Sequence, residues 1–426
     1  MKVFLDMVGC RLNQAELDLL AIDLSRKGAT IISTPEKADK IIINTCCVTK
    51  KACADSRKMI RHYRNLSDAE IISTGCWVNI DIQEAQNISD LTVLNSDKEN
   101  IPEILLNMEP ENPAELTRKP NLGKRTRTRG FVKVQDGCMN QCSFCLTAIA
   151  RGASRSVSTD TAVRRIHDLE AMGVKEIVLT GVQLGSWGKE LQPRLALSDL
   201  VRAILDKTDI PRIRFSSIEP WDIDLAFIEL LNENRICAHL HIPLQSGADP
   251  VLRSMRRPVN TQSFFEMLSQ IRKIAPQTSI TTDVISGFPT ETPELFQESI
   301  EFIKQCDFNG GHVFSFSPMP GTDAAKNPSV VQDSDKKKRT RLLIEHFKQQ
   351  AQNSKLFMIG QTSRVLYESR RETKAGTIWV GFAENYQCVE TSSSDNLMNR
   401  IIETDLIKID PKGSLIGKTA KTNTVN

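Results

Sequence analysis

The string CMNQCSFC (138–145) places three cysteines in a Cys-x3-Cys-x2-Cys spacing directly after an apolar, strand-like run. A structural zinc site wants four nitrogen or sulfur ligands and usually shows paired Cys-x2-Cys units. No fourth Cys or His stands nearby; the closest downstream His is His167, inside an expected helix. Three thiolates suit a cubane iron–sulfur cluster whose fourth iron stays open. An open iron can chelate the amino and carboxylate groups of a bound molecule and pass it an electron.

Three more cysteines each follow a short apolar run: Cys10 after KVFLDM (2–7), Cys46 after KIIINT (40–45) and Cys76 after EIISTG (70–75). Ligand sites in open α/β sheets form outside the carboxyl ends of the strands. Thiolates far apart in sequence can therefore converge on that edge. Cys237, Cys306 and Cys388 stand alone in apolar or helical contexts, where a free thiol packs as a small hydrophobe.

The whole chain sets the frame for these residues. Its 426 residues carry 11 Cys, a net charge of +3, 40% apolar and 25% charged residues. That composition excludes global disorder and collagen-like structure, and the length suits two to four domains. No apolar stretch reaches the roughly 20 residues of a membrane span, and MKVFLDMVGC does not read as a signal peptide. A cytoplasmic protein with reduced thiols is expected.

Strand-like and helical patterns alternate over roughly residues 1–110, predicting a doubly wound parallel sheet. Residues 113–129 form a linker with Arg118, Lys119, Lys124, Arg125, Arg127 and Arg129 and no acid after Glu115. Such a run is either a solvated tether or a phosphate contact. From 130 onward come candidate strands at 131–136, 176–181, 212–217, 239–244, 279–286 and 312–317, with helical patterns between them. These steps are too few for a full eight-fold barrel and suit a partial, open one. Short strands without helices from 362 to 410 read as a small β-barrel. The expected division is 1–112, linker 113–129, core 130–355, β module 356–412 and a trailing tail 413–426.

CMNQCSFC, with an aromatic residue before its last Cys, resembles the signature of radical S-adenosylmethionine (SAM) enzymes. VGCRLNQ, NTCCVT and TGCW resemble the amino-terminal domain of methylthiotransferases. ARGASRS (150–156), SSIEP (216–220), HLHIPLQSG (239–247), LRSMRR (252–257), TDVISGFPTET (282–292) and FSPMPGT (316–322) match that family in order, and the β module is similar to its RNA-binding TRAM domain. LTGVQLGSWG (179–188) and SSIEP look most like the branch acting on threonylcarbamoyladenosine in tRNA. Ala148 and Val157 depart from the family pattern, which commonly has Pro and a basic residue at those places.

The resemblance implies two [4Fe-4S] clusters. Cys138, Cys142 and Cys145 would hold the radical cluster and its SAM; Cys10, Cys46 and Cys76 would hold an auxiliary cluster carrying the sulfur to be inserted. One SAM would methylate that sulfur, and another, reductively cleaved, would give a radical that activates C2 of the adenine. The pattern puts the ligand at Cys46, so Cys47 and Cys53 are expected to pack. Position at strand ends makes Thr180, Gly181, Ser217, Glu219, Gln245 and Asp283 cofactor-binding candidates. Arg151, Arg155, Arg125, Arg127 and Arg129 are candidates for RNA contact, and no catalytic side chain is expected beyond the cluster ligands.

The expected partners are tRNA and a flavodoxin- or ferredoxin-like electron donor, with no membrane and a monomeric chain; the sulfur donor is not legible. Alternatives are action on isopentenyladenosine in tRNA or on a ribosomal protein, or a non-catalytic, zinc-stabilised RNA-binding protein.

Overall fold

KIIINT becomes a central strand because it is apolar on both faces. Ile41 and Ile43 enter one core with Ile71, while Ile42 enters another with Ile72, as the two-residue period of a strand requires. The computed structural model describes residues 1–106, 128–328, 331–374 and 376–419. Its first unit is a five-stranded sheet of β1 (Lys2–Met7), β2 (Thr30–Ile31), β3 (Lys40–Thr45), β4 (Glu70–Gly75) and β5 (Leu91–Val93). The strands are all parallel in the order β2-β1-β3-β4-β5. That order reverses between β1 and β3, the place where doubly wound sheets bind ligands. Cys10 and Cys46 follow those two strands.

The next strands are β6 (Arg129–Lys133), β7 (Gln135–Asp136), β8 (Arg155–Ser156) and β9 (Glu176–Thr180). They are followed by β10 (Arg212–Phe215), β11 (His239–His241), β12 (Ser279–Ser286) and β13 (Gly310–Ser315). β6, β9 and β10 form one parallel sheet and β11, β12 and β13 another. A parallel bridge from Ile213 to Ile236 joins them. The result is a partial barrel around a core that includes Trp187, Phe215, Phe227 and Phe264. β7 and β8 pair antiparallel, Asp136 opposite Arg155, and so pin both ends of the cysteine loop between them.

The long helix Asp333–Met358 lies along β13 and leads into a closed barrel. Its strands are β14 (Thr362–Thr373), β15 (Gly376–Ala383), β16 (Cys388–Ser392), β17 (Ile401–Ile409) and β18 (Leu415–Thr419). β18 corrects one expectation: residues 413–419 do not trail away. Leu415 is fully buried, and its strand fills the gap between β16 and β17 that would otherwise leave the barrel open. Edges left open invite pairing with other chains, and closure removes them. No helix among the described residues is long and apolar enough to cross a membrane.

Candidate cluster and cofactor site

The CMNQCSFC loop is held as a rigid cradle. Gly137 sits at φ +73°, and a Cβ there would lie 1.9 Å from the Ala153 carbonyl oxygen. Only glycine permits that approach, and it lets the Cys138 amide donate to the Gly152 carbonyl at 3.0 Å. Ser143 anchors the loop's middle, its amide and hydroxyl donating to the Met255 and Ser254 carbonyls at 3.0 and 2.8 Å. The amides of Asn140 and Thr147 point at the sulfurs of Cys138 and Cys145, each at 3.4 Å. Burial raises the Cys142 thiol while the Arg257 guanidinium beside it pulls the other way; burial pushes Cys138 up to about 11. Donors aimed at all three sulfurs fit thiolates bound to iron, where hydrogen bonds to sulfur tune the cluster.

Arg257 is buried and bridges the loop to the barrel mouth. It pairs with Glu219 at 2.8 Å, donates to the Pro243 carbonyl at 2.7 Å and lies over Trp221, 4.6 Å from the ring centre. Burial raises the Glu219 carboxyl, with Arg257 opposing. Asp283 pairs with His241 at 3.1 Å through one oxygen, and its other oxygen is buried without a hydrogen-bond partner among the described residues. The Ser216 hydroxyl is likewise buried and unpartnered. Two unsatisfied polar atoms, one just past the end of β10 and one within β12 rather than at its end, cost free energy unless something binds them, and the ribose and amino groups of SAM bring polar partners of that kind. Gln245 bridges to Val284 at the strange φ of +73° for a non-glycine residue, the sort of strain that clusters at binding sites.

Three other candidates stand in different surroundings. The Thr180 hydroxyl is spent on its own strand, donating to the Val178 carbonyl at 3.0 Å. At Gly181 a Cβ would meet Gln135 and Leu184 at 2.9–3.0 Å, so packing by itself calls for a residue without a side chain. Ser217 is exposed while its neighbour Ser216 is buried. Ser216, Arg257 and Gln183, which accepts from the Cys138 thiol at 3.3 Å, were not singled out from sequence as cofactor neighbours.

The second set of thiols gathers at the carboxyl edge of the parallel sheet. Gly9, at φ +117°, lies against Cys46: a Cβ would meet its Cβ at 2.6 Å and Sγ at 2.7 Å. The Asn13 amide donates to the carbonyls of Val8 and Thr45 at 2.8 and 3.1 Å, tying together the loops that carry Cys10 and Cys46. Cys46 feels the charges of Cys10 and Cys76, and burial raises it to about 12. Cys47 is buried among apolar residues, as expected, but its thiol also donates to Cys76, lowering that thiol's pKa with help from Arg151. Among the described residues no three Cys, His, Asp or Glu side chains converge on one point as a single metal ion requires. A cubane, whose thiolates bind different irons, does not require it.

Arg151, a candidate for RNA contact, is instead buried between the two cysteine sets, its side chain 2% exposed. It meets Glu16, Asp136, Asn13 and Cys76. Lys98 also pairs with Glu16 at 2.7 Å, and Lys133 with Asp136 at 3.4 Å. Against the desolvation of full burial, Lys98, Arg151 and Lys133 hold the Glu16 carboxyl well below its usual range.

Arg129 is corrected in the same way. It pairs with Glu368 on β14 and donates to the Tyr386 hydroxyl at 3.1 Å, joining the barrel core to the β module. Tyr386, at φ +68°, lies under Arg214 and also accepts from Arg11 at 3.1 Å. A guanidinium so enclosed cannot meet a phosphate. Arg155 stays half exposed, 3.7 Å from Asp136, whereas Arg125 and Arg127 lie outside the described residues.

Comparison with known proteins agrees with this layout. Residues 2–94 match the uncharacterized protein family UPF0004, and residues 132–303 match the radical SAM superfamily. The threonylcarbamoyladenosine tRNA methylthiotransferase MtaB of Thermotoga maritima is 34% identical, covering 86% of this chain and 86% of its own. The protein of that name from Bacillus subtilis is 31% identical over 94% and 92%. A tRNA-2-methylthio-N(6)-dimethylallyladenosine synthase of Christiangramia forsetii is 28% identical over 91% and 89%. In fold, the chain is similar to the radical SAM methyltransferase TsrM of Kitasatospora setae, with a TM-score of 0.58 at 14% identity over 76% and 75%. Membership of the superfamily carries with it a [4Fe-4S] cluster and SAM. Spacing, strand order and whole-length identity lead to one conclusion: the chain belongs to the radical SAM methylthiotransferase family.

Proposed function

We infer that this chain is a tRNA methylthiotransferase that adds a methylthio group to C2 of N6-threonylcarbamoyladenosine beside the anticodon. The observation that carries the substrate is the gradient of identity. Relatives named for threonylcarbamoyladenosine stand at 34% and 31%, relatives named for dimethylallyladenosine at 26–28%, all across most of their lengths. A C2–H of adenine cannot be removed by side-chain acid–base chemistry at neutral pH, so a bound cluster and SAM supply one-electron chemistry that the protein lacks.

The chain's own residues then position and shield. Cys138, Cys142 and Cys145 hold the radical cluster, with the Asn140 and Thr147 amides and Arg257 steadying their sulfurs. Asp283 and Ser216 take the polar groups of SAM, and Glu219 is kept near neutral charge balance by Arg257. Cys10, Cys46 and Cys76 hold a second cubane, the auxiliary cluster, beside the sulfur to be transferred. Arg155, with Arg125 and Arg127, contacts RNA phosphates, where clustered guanidinium groups bind through charge and bidentate hydrogen bonds. The β module takes the place of the RNA-binding TRAM domain, and a flavodoxin- or ferredoxin-like protein delivers the electron.

The test is a reaction with anaerobically reconstituted protein, SAM, a reductant and tRNA bearing threonylcarbamoyladenosine, read by nucleoside mass analysis. The methylthio product is expected in the natural chain. Cys10→Ala, Cys46→Ala or Cys76→Ala should abolish it yet leave reductive cleavage of SAM. Loss of cleavage in those variants would overturn the division between the two cysteine sets.

A further inference from the structure

Arg151 follows the CMNQCSFC loop by six residues, yet none of its polar atoms faces solvent. All five of its N–H donors are committed. Nε donates to Cys76 Sγ at 3.0 Å; Nη1 donates to Glu16 Oε1 at 2.8 Å and Asp136 Oδ1 at 3.0 Å. Nη2 donates to Asn13 Oδ1 at 2.9 Å and Glu16 Oε2 at 3.3 Å. A guanidinium has only five such donors in a fixed plane, so the group is fully used and fully oriented. Its acceptors come from both sides: Asp136 from the barrel core, and Asn13, Glu16 and Cys76 from the amino-terminal sheet.

Charged groups of both signs surround it. Glu16 and Asp136 are opposed by Arg151, Lys98 and Lys133, all five with side chains no more than 10% exposed. Glu99, on the solvent side, pairs with Lys133 at 3.1 Å and evens the count at three charges of each sign. Buried charge is stable only when paired. Within this paired set the Arg151 Nε–H is aimed at Cys76 Sγ, a hydrogen bond that suits a metal-bound thiolate. Asn13 extends the same frame: while its oxygen accepts from Arg151, its nitrogen fastens the loops of Cys10 and Cys46.

We propose that Arg151 is a positioning residue that fixes the auxiliary cluster against the radical core, holding the Cys76 thiolate through Nε and the other two cysteine loops through Asn13. The proposal rests on the reading of Cys10, Cys46 and Cys76 as cluster ligands. Two consequences follow. The guanidinium sets the distance between the two clusters, because its own backbone is the continuation of the loop that holds the first. Its charge and hydrogen bond also make the auxiliary cluster easier to reduce, since hydrogen bonds to sulfur and net charge set cluster potentials.

The test isolates the auxiliary cluster in the full-length chain carrying Cys138→Ala, Cys142→Ala and Cys145→Ala, then adds Arg151→Met or Arg151→Lys. Iron content, the electron paramagnetic resonance spectrum of the reduced cluster and its midpoint potential are measured. The Met variant should show a lower potential and an altered spectrum. The Lys variant, which keeps the charge but has three donors and no planar fork, should recover part of the potential and little of the spectrum. In chains with both cysteine sets intact, thiolation should fall on the order of 100-fold, as a misplacement of about 1 Å can cause. SAM cleavage uncoupled from thiolation should change less than about threefold, well short of that misplacement factor.

An unchanged spectrum and potential in the Met variant would overturn the proposal. Should that variant fail to fold, a Lys variant with the natural spectrum and thiolation rate would overturn it equally. A natural chain that binds four rather than eight irons would refute the two-cluster reading beneath it, a separate result seen before any Arg151 variant is made.

Discussion

Gly137 and Gly152 face each other across the ends of the cysteine loop with the same φ of +73°. They offer a controlled comparison. Gly137→Ala places its Cβ 1.9 Å from the Ala153 carbonyl oxygen and 2.5 Å from the carbonyl carbon, against a closest approach of 3.0 Å for real Cβ atoms. The loop ends must therefore part by about 1 Å. Gly152→Ala meets nothing nearer than Arg155 Nη1 at 4.0 Å. At Gly152, with φ +73° and ψ −159°, a side chain costs roughly 1–3 kcal/mol because that region is nearly reserved for glycine. Gly137→Ala adds the steric clash to its own positive-φ cost and, by parting the loop ends, strains the hydrogen bond from the Cys138 amide to the Gly152 carbonyl, about another 1 kcal/mol. Displacing Cys138 by that distance should remove the radical cluster. Iron should fall from about eight to about four per chain, two cubanes becoming one. SAM cleavage should fall at least about 100-fold. Gly152→Ala should keep its iron and lower the melting temperature of the core by about 2–12 °C. Iron analysis and the rate of deoxyadenosine formation read both outcomes. Full iron and natural cleavage in Gly137→Ala, or equal loss in Gly152→Ala, would refute the steric reasoning.

Three further outcomes follow from the same structure. Glu176 is buried between Arg214 and Arg212, at 2.7 and 2.9 Å, and despite desolvation they hold its carboxyl at about 2. Because that value lies below the unfolded one, its stabilisation is present above about pH 4.5 and lost as pH falls toward 2. Glu176→Gln should cost about 3–5 kcal/mol in thermal melts at pH 7, with the gap to the natural chain closing in acid. Arg155→Ala should weaken tRNA binding and reduce the salt slope by about 1, as loss of one phosphate contact does. Arg129→Gln should leave that slope unchanged while loosening the β module from the core, seen as faster proteolysis between residues 355 and 365. Cys47→Ala should keep about eight irons, and Cys46→Ala about four, as the loss of one cubane requires.

What sequence made legible was whatever local pattern encodes. KIIINT and EIISTG announce a buried parallel sheet because each carries consecutive isoleucines, Ile41 to Ile43 and Ile71 with Ile72, and the three spaced cysteines of CMNQCSFC carry their chemistry in their spacing. What it hid was where long side chains go. Arg151, Arg129 and Arg257 look alike as basic residues near a proposed RNA path, yet all three are enclosed by acceptors from distant segments: Glu16, Glu368 and Glu219. Charge in a sequence says nothing of burial when the partner stands 135 or 239 positions away. One signal was there to be used. Gly9, Gly75 and Gly137 each precede a cysteine and each adopt positive φ, marking loops that must pass close to something. The short LIGKT strand was hidden by its glycine and lysine, and only the unclosed barrel reveals the need for it.

The most direct measurement is mass analysis of the nucleosides of tRNA from a strain lacking this chain. Loss of 2-methylthio-threonylcarbamoyladenosine, with threonylcarbamoyladenosine accumulating in its place and the isopentenyl nucleosides unaltered, is the expected result. Loss of the methylthio-isopentenyl nucleoside instead, with the threonylcarbamoyl product intact, would contradict it.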